Sequence, residues 1–556
     1  MSRMIWKCTT LGQRPFLVLS LLFVGVLGLF ASLGSAGSQA VPSAEVAPPP
    51  RPDPVAEWID QEGSFDYAAA VNALLGRSVT PQTNAIVLIW QALGPTPEGG
   101  SSLPAEYFEY LGCPRPAGSK EDFIKLYRYA GEVLRLPERA TEQLYDQLFL
   151  LAAIPWKDKE APELADWLRR NEKALEHLRH AAERPHYFNP AYKLCDDGTT
   201  ISLRDNLLPH IQALREAALA FSLRAMNKLG NGDTAGAWQD ILTAYRLSRH
   251  LAQGMWIIEG LVGVALETGI LFKTTKAFLE HAALPPRQLA ECLRQLRALP
   301  EPDWITHRGV IVEMAAVLDH LQHKAPKNYA EAIKGMQASF NRPFPPLPRQ
   351  LEEVPITVEG WVTLQRELIT RYLRWGDYLR QHGNKPYDPT ALEALRPDPK
   401  VLEELGREIE REIAAWKKEE GQDAARAWRL QEMTGRYAGM TLFFMSSDFL
   451  PKFHKTHLRR KQCGELLQAA IALELYRCEQ GRYPRQLQEL AGKYLPEVPL
   501  DRFRNQPLVY QVSPEMVLVY SVGPNGRDDA ARSYLDDPNE READDLVVRW
   551  RPRLKP

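Results

Sequence analysis

The chain reads as mainly α, a multi-helix bundle that ends in a small C-terminal α+β module. Three observations predict this. Apolar residues recur at three- and four-residue spacing over residues 56–341 and again beyond residue 356, the period of helices with one buried face. Gly and Pro clusters punctuate the segments. Beyond residue 479 the texture changes to short runs rich in Val, Leu and Tyr, the composition of strands.

The elements follow in order. Arg3, Lys7 and Arg14 form a basic start, no charge occurs over residues 15–44, and residues 16–33 are almost continuously apolar. Ser38-Gln39-Ala40 has the small residues of a signal-peptidase site. A bilayer span needs about 20 apolar residues and a signal-peptide core about 7–15. The run lies between the two, so 1–40 is expected to be a signal peptide or a retained membrane anchor. Either way the basic end stays inside and the body is expected to face the periplasm. Residues 41–55 carry Pro48-Pro49-Pro50 and three further prolines, an extended linker by composition.

Helices are then predicted over 123–136, 140–153, 164–182, 207–229 and 235–251. Residues 255–272 are apolar enough to raise a second span. Glu259 and Glu267 interrupt them, and charges inside a span are costly, so a central bundle helix is expected. Pro343, Pro345, Pro346 and Pro348 mark a break over 343–355 between a helical domain (56–342) and a helical extension (356–457). Within the extension, helices are predicted over 358–381, 399–419 and 424–439. The last segment, 458–556, opens with a helix over 458–479, followed by strands over 508–512, 516–520 and 546–550, with Ser513-Pro514-Glu515 as the turn.

Composition narrows function. A chain of 556 residues suggests two to four domains at roughly 100–200 residues each. A net charge of -2 gives no overall field for nucleic acid or anionic lipid, and Arg459-Arg460-Lys461 is too short a basic run to imply a nucleic-acid partner. Six cysteines are present, with Cys8 ahead of the apolar segment. The remaining five are an odd number, so one thiol at least lacks a partner within the chain. Cys463 and Cys478 fall on one predicted helix, roughly 22 Å apart at about 1.5 Å per residue, too far to bridge.

Two resemblances arise. Phe221 and Ala225, Gly232 in a turn, then Ala237, Ile241 and Ala244 resemble one tetratricopeptide hairpin, without a recurrence at that family's repeat length. Further on come Tyr476-Arg477-Cys478-Glu479-Gln480-Gly481-Arg482-Tyr483-Pro484, Tyr494-Leu495-Pro496 and Val498-Pro499-Leu500-Asp501. Asn505-Gln506-Pro507-Leu508-Val509-Tyr510, Tyr520-Ser521-Val522-Gly523-Pro524-Asn525-Gly526 and Asp544-Asp545 follow. In this order the blocks resemble the C-terminal domain of the type II secretion major pseudopilin over 469–548. The whole arrangement is similar to exported bacterial proteins in which such an ending follows a helical body. The pseudopilin's early Glu in the apolar helix is missing here, so polymerisation is not implied.

The resemblance implies a calcium loop. Its ligands here would be Asn525, Asp528, Asp529, Asp544 and Asp545, oxygen donors suited to that ion. Asn525 stands where the family has Asp, the following glycines are missing and residues 530–541 lengthen the loop, so a solvated acidic loop is the alternative.

Other constellations carry less. His177/His180, His320/His323 and His454/His457 each share a helix face; a metal site needs further ligands, no H-E-x-x-H occurs, and Glu313 and Asp319 lie near the second pair only. Glu259 and Glu267 are the weak catalytic candidates: carboxylates in an apolar helix must be paired, with Arg246, Arg249 or His250 at hand, or serve acid–base chemistry. No G-x-S-x-G, Walker loop or dinucleotide fingerprint occurs. The expectation is a non-enzymatic envelope protein with a scaffold role and an envelope protein as partner. The alternatives are an extracytoplasmic hydrolase using Glu259 and Glu267, and an accessory to protein secretion.

Overall fold

Side-chain caps fix where the first helices begin. Asp66 Oδ1 accepts the Ala69 N–H at 2.9 Å, and Asn84 Oδ1 accepts the Ile86 N–H at 3.3 Å. The computed structural model describes residues 66–100, 102–302, 309–340, 347–382, 385–418, 423–446, 450–537 and 539–552. The predicted export segment 1–40, the linker 41–55 and most of the Pro343–Pro348 cluster lie outside the described residues.

The first half carries α1 (Tyr67–Leu75), α2 (Ala85–Leu93), α3 (Ala105–Leu111), α4 (Glu138–Leu151), α5 (Pro162–Arg170), α6 (Glu172–Ala182), α7 (His210–Gly230), α8 (Thr234–Leu251), α9 (Ile257–Ala265), α10 (Phe272–His281) and α11 (Pro286–Arg297). The rest carries α12 (Gly309–Lys324), α13 (Tyr329–Phe340), α14 (Val358–His382), α15 (Pro389–Glu393), α16 (Pro399–Lys418), α17 (Ala424–Ser446) and α18 (Leu450–Gln480). The strands are β1 (Leu500–Asp501), β2 (Gln506–Pro507), β3 (Val509–Val512), β4 (Val517–Ser521) and β5 (Leu546–Trp550). The chain is thus mainly helical with a small C-terminal region of two antiparallel sheets, β1-β2 and β3-β4-β5.

Several predicted bounds move, each for a local reason. The run 164–182 divides at Asn171, whose side chain accepts the Ile124 N–H at 2.7 Å and donates to the Ile124 carbonyl at 3.1 Å. The predicted helix 123–136 shrinks to Leu126–Arg128 followed by a wide π turn, Tyr129–Val133. A second π turn, Leu266–Leu271, joins α9 to α10, so 255–272 is not one regular helix. No described helix is long and apolar enough to cross a membrane. Cys113, Cys195, Cys292, Cys463 and Cys478 are free thiols.

The hairpin α7–α8 forms, with Asp233 capping α8 through the Gly236 N–H at 2.8 Å and Gly232 at φ +87° in the turn. Ala217, Phe221, Ala237 and Ala244 are buried along it. In the second half α14 lies along α17. Gly435 and Gly439 permit this: a Cβ on either would overlap the Gly360 or the Leu364 carbonyl.

The cores do not follow the segments 56–342, 356–457 and 458–556. One core joins α2, α5–α8, α10 and α11 to α18 and the three-stranded sheet, with Leu293, Leu467 and Val519 in the same cluster. The other joins α1 to α12–α17, with Ile333, Trp375 and Leu442 inside it. The C-terminal sheet is therefore continuous with the helical body. α18 begins at Leu450, eight residues before the predicted 458, and carries both cores, through Phe453 in one and Leu466 in the other.

Within the module, β4 is central and pairs Val519 with Tyr510 of β3 and Val548 of β5. Gly481 ends α18 at φ +70°. Glu474, buried on α18, accepts the Trp550 indole N–H at 2.6 Å, pairs with Arg477 Nε at 3.1 Å and accepts the Tyr483 hydroxyl. One carboxylate thus ties the helix to the sheet.

Candidate functional site

Glu259 sits at the first turn of α9, where a carboxylate is favoured by the unpaired N–H groups. It reaches back to accept the Trp256 N–H at 3.2 Å. Its other oxygen accepts the Tyr187 hydroxyl at 2.5 Å and the Asn189 amide at 3.0 Å, and lies 3.1 Å from His210 Nε2. The network continues through Tyr107, which donates to Asn189 at 2.7 Å and accepts the Trp90 indole N–H at 2.9 Å. Glu259 is fully buried. None of the three cations expected as partners reaches it. His250 instead lies flat beside Tyr187, ring centres 6.0 Å apart, and burial pushes its imidazole down to about 4.

Glu267 has a different setting. It lies in the second π turn, a widened coil that turns its side chain toward α8. Arg249 Nε lies 2.6 Å from one oxygen and Arg460 Nη1 3.6 Å from the other. Arg249 was among the predicted partners. Arg460 was not: it belongs to the short basic run, yet it is only 1% exposed. Its position was legible in part, because Phe453, His457, Arg460, Cys463 and Leu467 succeed one another at three- and four-residue steps along α18. A third acid, Glu301, closes the cluster and was not singled out. Arg460 Nη2 donates to it at 2.6 Å, Arg249 Nη1 lies at 3.5 Å and Lys461 Nζ at 3.8 Å.

This cluster lines a cleft of about 470 Å³ between α8, α11 and α18 on one side and the segment 495–502, which includes β1, on the other. Leu296, Leu299, Leu467 and Val498 give it apolar walls, while Gln468 and Asn505 add amides. Glu259 does not line it. The two candidate carboxylates therefore face different surroundings, one sealed among Tyr187, Asn189 and His210 and one held between guanidiniums. Glu259 and Glu267 are thus not brought together in one cleft as the carboxylate pair of a hydrolase would be.

The acidic loop gathers Asn525, Asp528, Asp529, Asp544 and Asp545, but its oxygens are turned inward onto the loop's own donors. Asp544 accepts the Asn525 N–H at 3.0 Å, Asp545 accepts the Ala531 N–H at 2.8 Å, and Asp528 accepts the Tyr520 hydroxyl at 3.0 Å. Asp529 accepts the Asn525 amide at 3.0 Å and the Asp544 N–H at 3.2 Å. Burial raises the Asp545 carboxyl to about 6. Among the described residues no three His, Cys, Asp or Glu side chains converge as metal ligands. The carboxylates stand where calcium was expected, and each accepts an N–H or O–H group of the module itself.

The His pairs also separate. His177 and His180 are exposed, whereas His454 and His457 are buried, His454 beside the rings of Tyr378 and Tyr387. Burial lowers His454 to about 4 and holds His457 well below the usual imidazole value.

No family model matches the chain, and no curated protein or solved structure matches it either.

Proposed function

We propose that the protein is an exported, non-enzymatic envelope protein that acts as a scaffold, with its C-terminal module as a docking cap for an envelope protein. Export rests on the basic start, the apolar run of residues 16–33 and the Pro-rich linker that follows. The observation that carries the scaffold reading is the core that runs without a break from the helical body through α18 into the sheet. A module fixed in this way holds its surface in one orientation relative to the body, which is what a scaffold needs. The likeness of 469–548 to a pseudopilin domain, and of α7–α8 to a tetratricopeptide hairpin, belong to this reading. They name two surfaces of kinds that elsewhere take part in protein contacts.

The test has two stages. A C-terminally tagged chain, fractionated from its native host, is expected in the envelope and open to protease added to spheroplasts. A photo-crosslinking residue in place of Val512 or Met516, both exposed on the module, is then expected to give one discrete protein adduct in that fraction. Full-length chain in the cytosol would overturn export. A correctly placed chain that gives no adduct from either position would overturn the docking cap.

A further inference from the structure

The cluster at the base of the cleft holds its charges unevenly. Arg249 and Arg460, 8% and 1% exposed, share one buried carboxylate, Glu267. Two guanidiniums out of water need more than a single counter-charge. The second comes from Glu301, a side chain 59% exposed and carried by an irregular segment between Pro300 and Pro302. Although burial works against its charge, the guanidiniums of Arg460 and Arg249 and the Lys461 ammonium hold the Glu301 carboxyl at about 2.

Two of the remaining acids of the cleft are taken up elsewhere. Glu465 accepts Arg502 Nε at 2.9 Å. Asp501, fully buried, accepts the Val522 N–H at 2.8 Å and the Phe503 N–H at 2.9 Å. Glu497 is exposed at the rim. The deep cations thus rely on one buried acid and one acid reaching in from the solvent side. The apolar walls formed by Leu296, Leu299, Leu467 and Val498 begin beside that position.

We propose that the cleft binds a small ligand bearing a carboxylate or phosphate next to an apolar body, and that the Glu301 carboxylate occupies the anion's place when the ligand is absent. The planar forks of Arg249 and Arg460 fit either anion, Lys461 adds a third donor group, and the apolar walls receive the rest of the ligand. The ligand displaces a half-exposed side chain rather than opening a buried pair, so Glu267 keeps both guanidiniums as ion-pair neighbours throughout. This proposal does not rest on the scaffold reading.

The test is calorimetry on the purified full chain with three probes: N-acetyl-leucine, its neutral amide and inorganic phosphate. In Glu301→Gln the place is vacated, and at least one of the two anions is expected to bind at least tenfold tighter than to the natural chain, with the amide unchanged. Which anion gains identifies the ligand as a carboxylate or a phosphate. Adding Lys461→Met to Glu301→Gln is expected to weaken the gained binding several-fold. If Glu301→Gln does not fold, Glu301→Asp, one methylene shorter and still charged, is expected to show a smaller gain for the same anion. Equal affinity for both anions in the natural and substituted chains overturns the proposal, as does a gain that the amide shares or that Lys461→Met leaves unchanged.

Discussion

Glu259 shows how much a single buried carboxylate organises. It satisfies a helix N-terminus, a tyrosine, an asparagine and a histidine at once. Glu259→Gln keeps the shape but places an amide N–H among donors. At least one of Tyr187, Asn189 or the Trp256 N–H then loses its acceptor, at a cost of about 1–3 kcal/mol. Urea unfolding of the substituted chain measures this, and a loss under about 0.5 kcal/mol would show that the network is not structural. The histidines supply a second prediction. His250 and His454 are buried with folded pKa values near 4, below the usual value of about 6.5. In the window between these values the unfolded chain binds more protons than the folded one, so stability is fully present above about pH 6.5 and is lost as pH falls toward 4. His454→Phe is expected to flatten the fall in melting temperature across that window, and an unchanged slope would refute it. The sequence revealed that Glu259 had to be partnered. It did not reveal by what, since Tyr187, Asn189 and His210 lie 72, 70 and 49 residues away.

At the scale of elements, the packing of α14 on α17 depends on what is missing from Gly435 and Gly439. Gly439→Leu inserts a side chain where the Leu364 carbonyl already sits, and is expected to destabilise the chain by about 1–3 kcal/mol. Gly464 on α18 meets nothing within 4 Å at its Cβ position. Gly464→Ala is the control, expected to be neutral or slightly stabilising through helix propensity. Equal losses at both positions would remove the close-approach argument. Elements of this kind were readable where one period persisted: 399–419 and 235–251 reappear as α16 and α8 within one residue. They were not readable where a distant group intervened. Asn171 divides a run that is periodic on both sides because it bonds the backbone of Ile124, 47 residues earlier. The π turn that presents Glu267 was hidden because the segment is apolar nearly all round, so the rotation of roughly 100° that one extra residue makes moves no distinct polar face. The three strands were legible because β4 and β5 are short runs of Val and Leu bounded by turn residues.

For the whole molecule, the consequential feature is that the C-terminal sheet and the helical body share a core. Pro clusters and changes of texture suggested separable segments, because a sequence records local composition and not which distant faces meet. α18 decides the matter: 31 residues, about 45 Å at about 1.5 Å per residue, long enough to enter both cores. Unfolding should therefore couple them. Leu473 lies on α18, fully buried in the core that body and sheet share. Leu473→Ala removes three heavy atoms from that junction, and such changes typically cost about 2–5 kcal/mol. If the module were an independent domain, the loss would be confined to it. Amides of β3–β5 would then exchange faster, while those of α2, α7 and α8 kept their protection. With one continuous core the same substitution is expected to speed exchange in both sets together and to leave a single urea transition with a lower midpoint. Hydrogen exchange read by mass spectrometry separates the two outcomes. Protection unchanged in α7 and α8, beside a module already open, would mean that the sheet is hung on the body rather than built into it, and the rigid presentation that a scaffold needs would be lost.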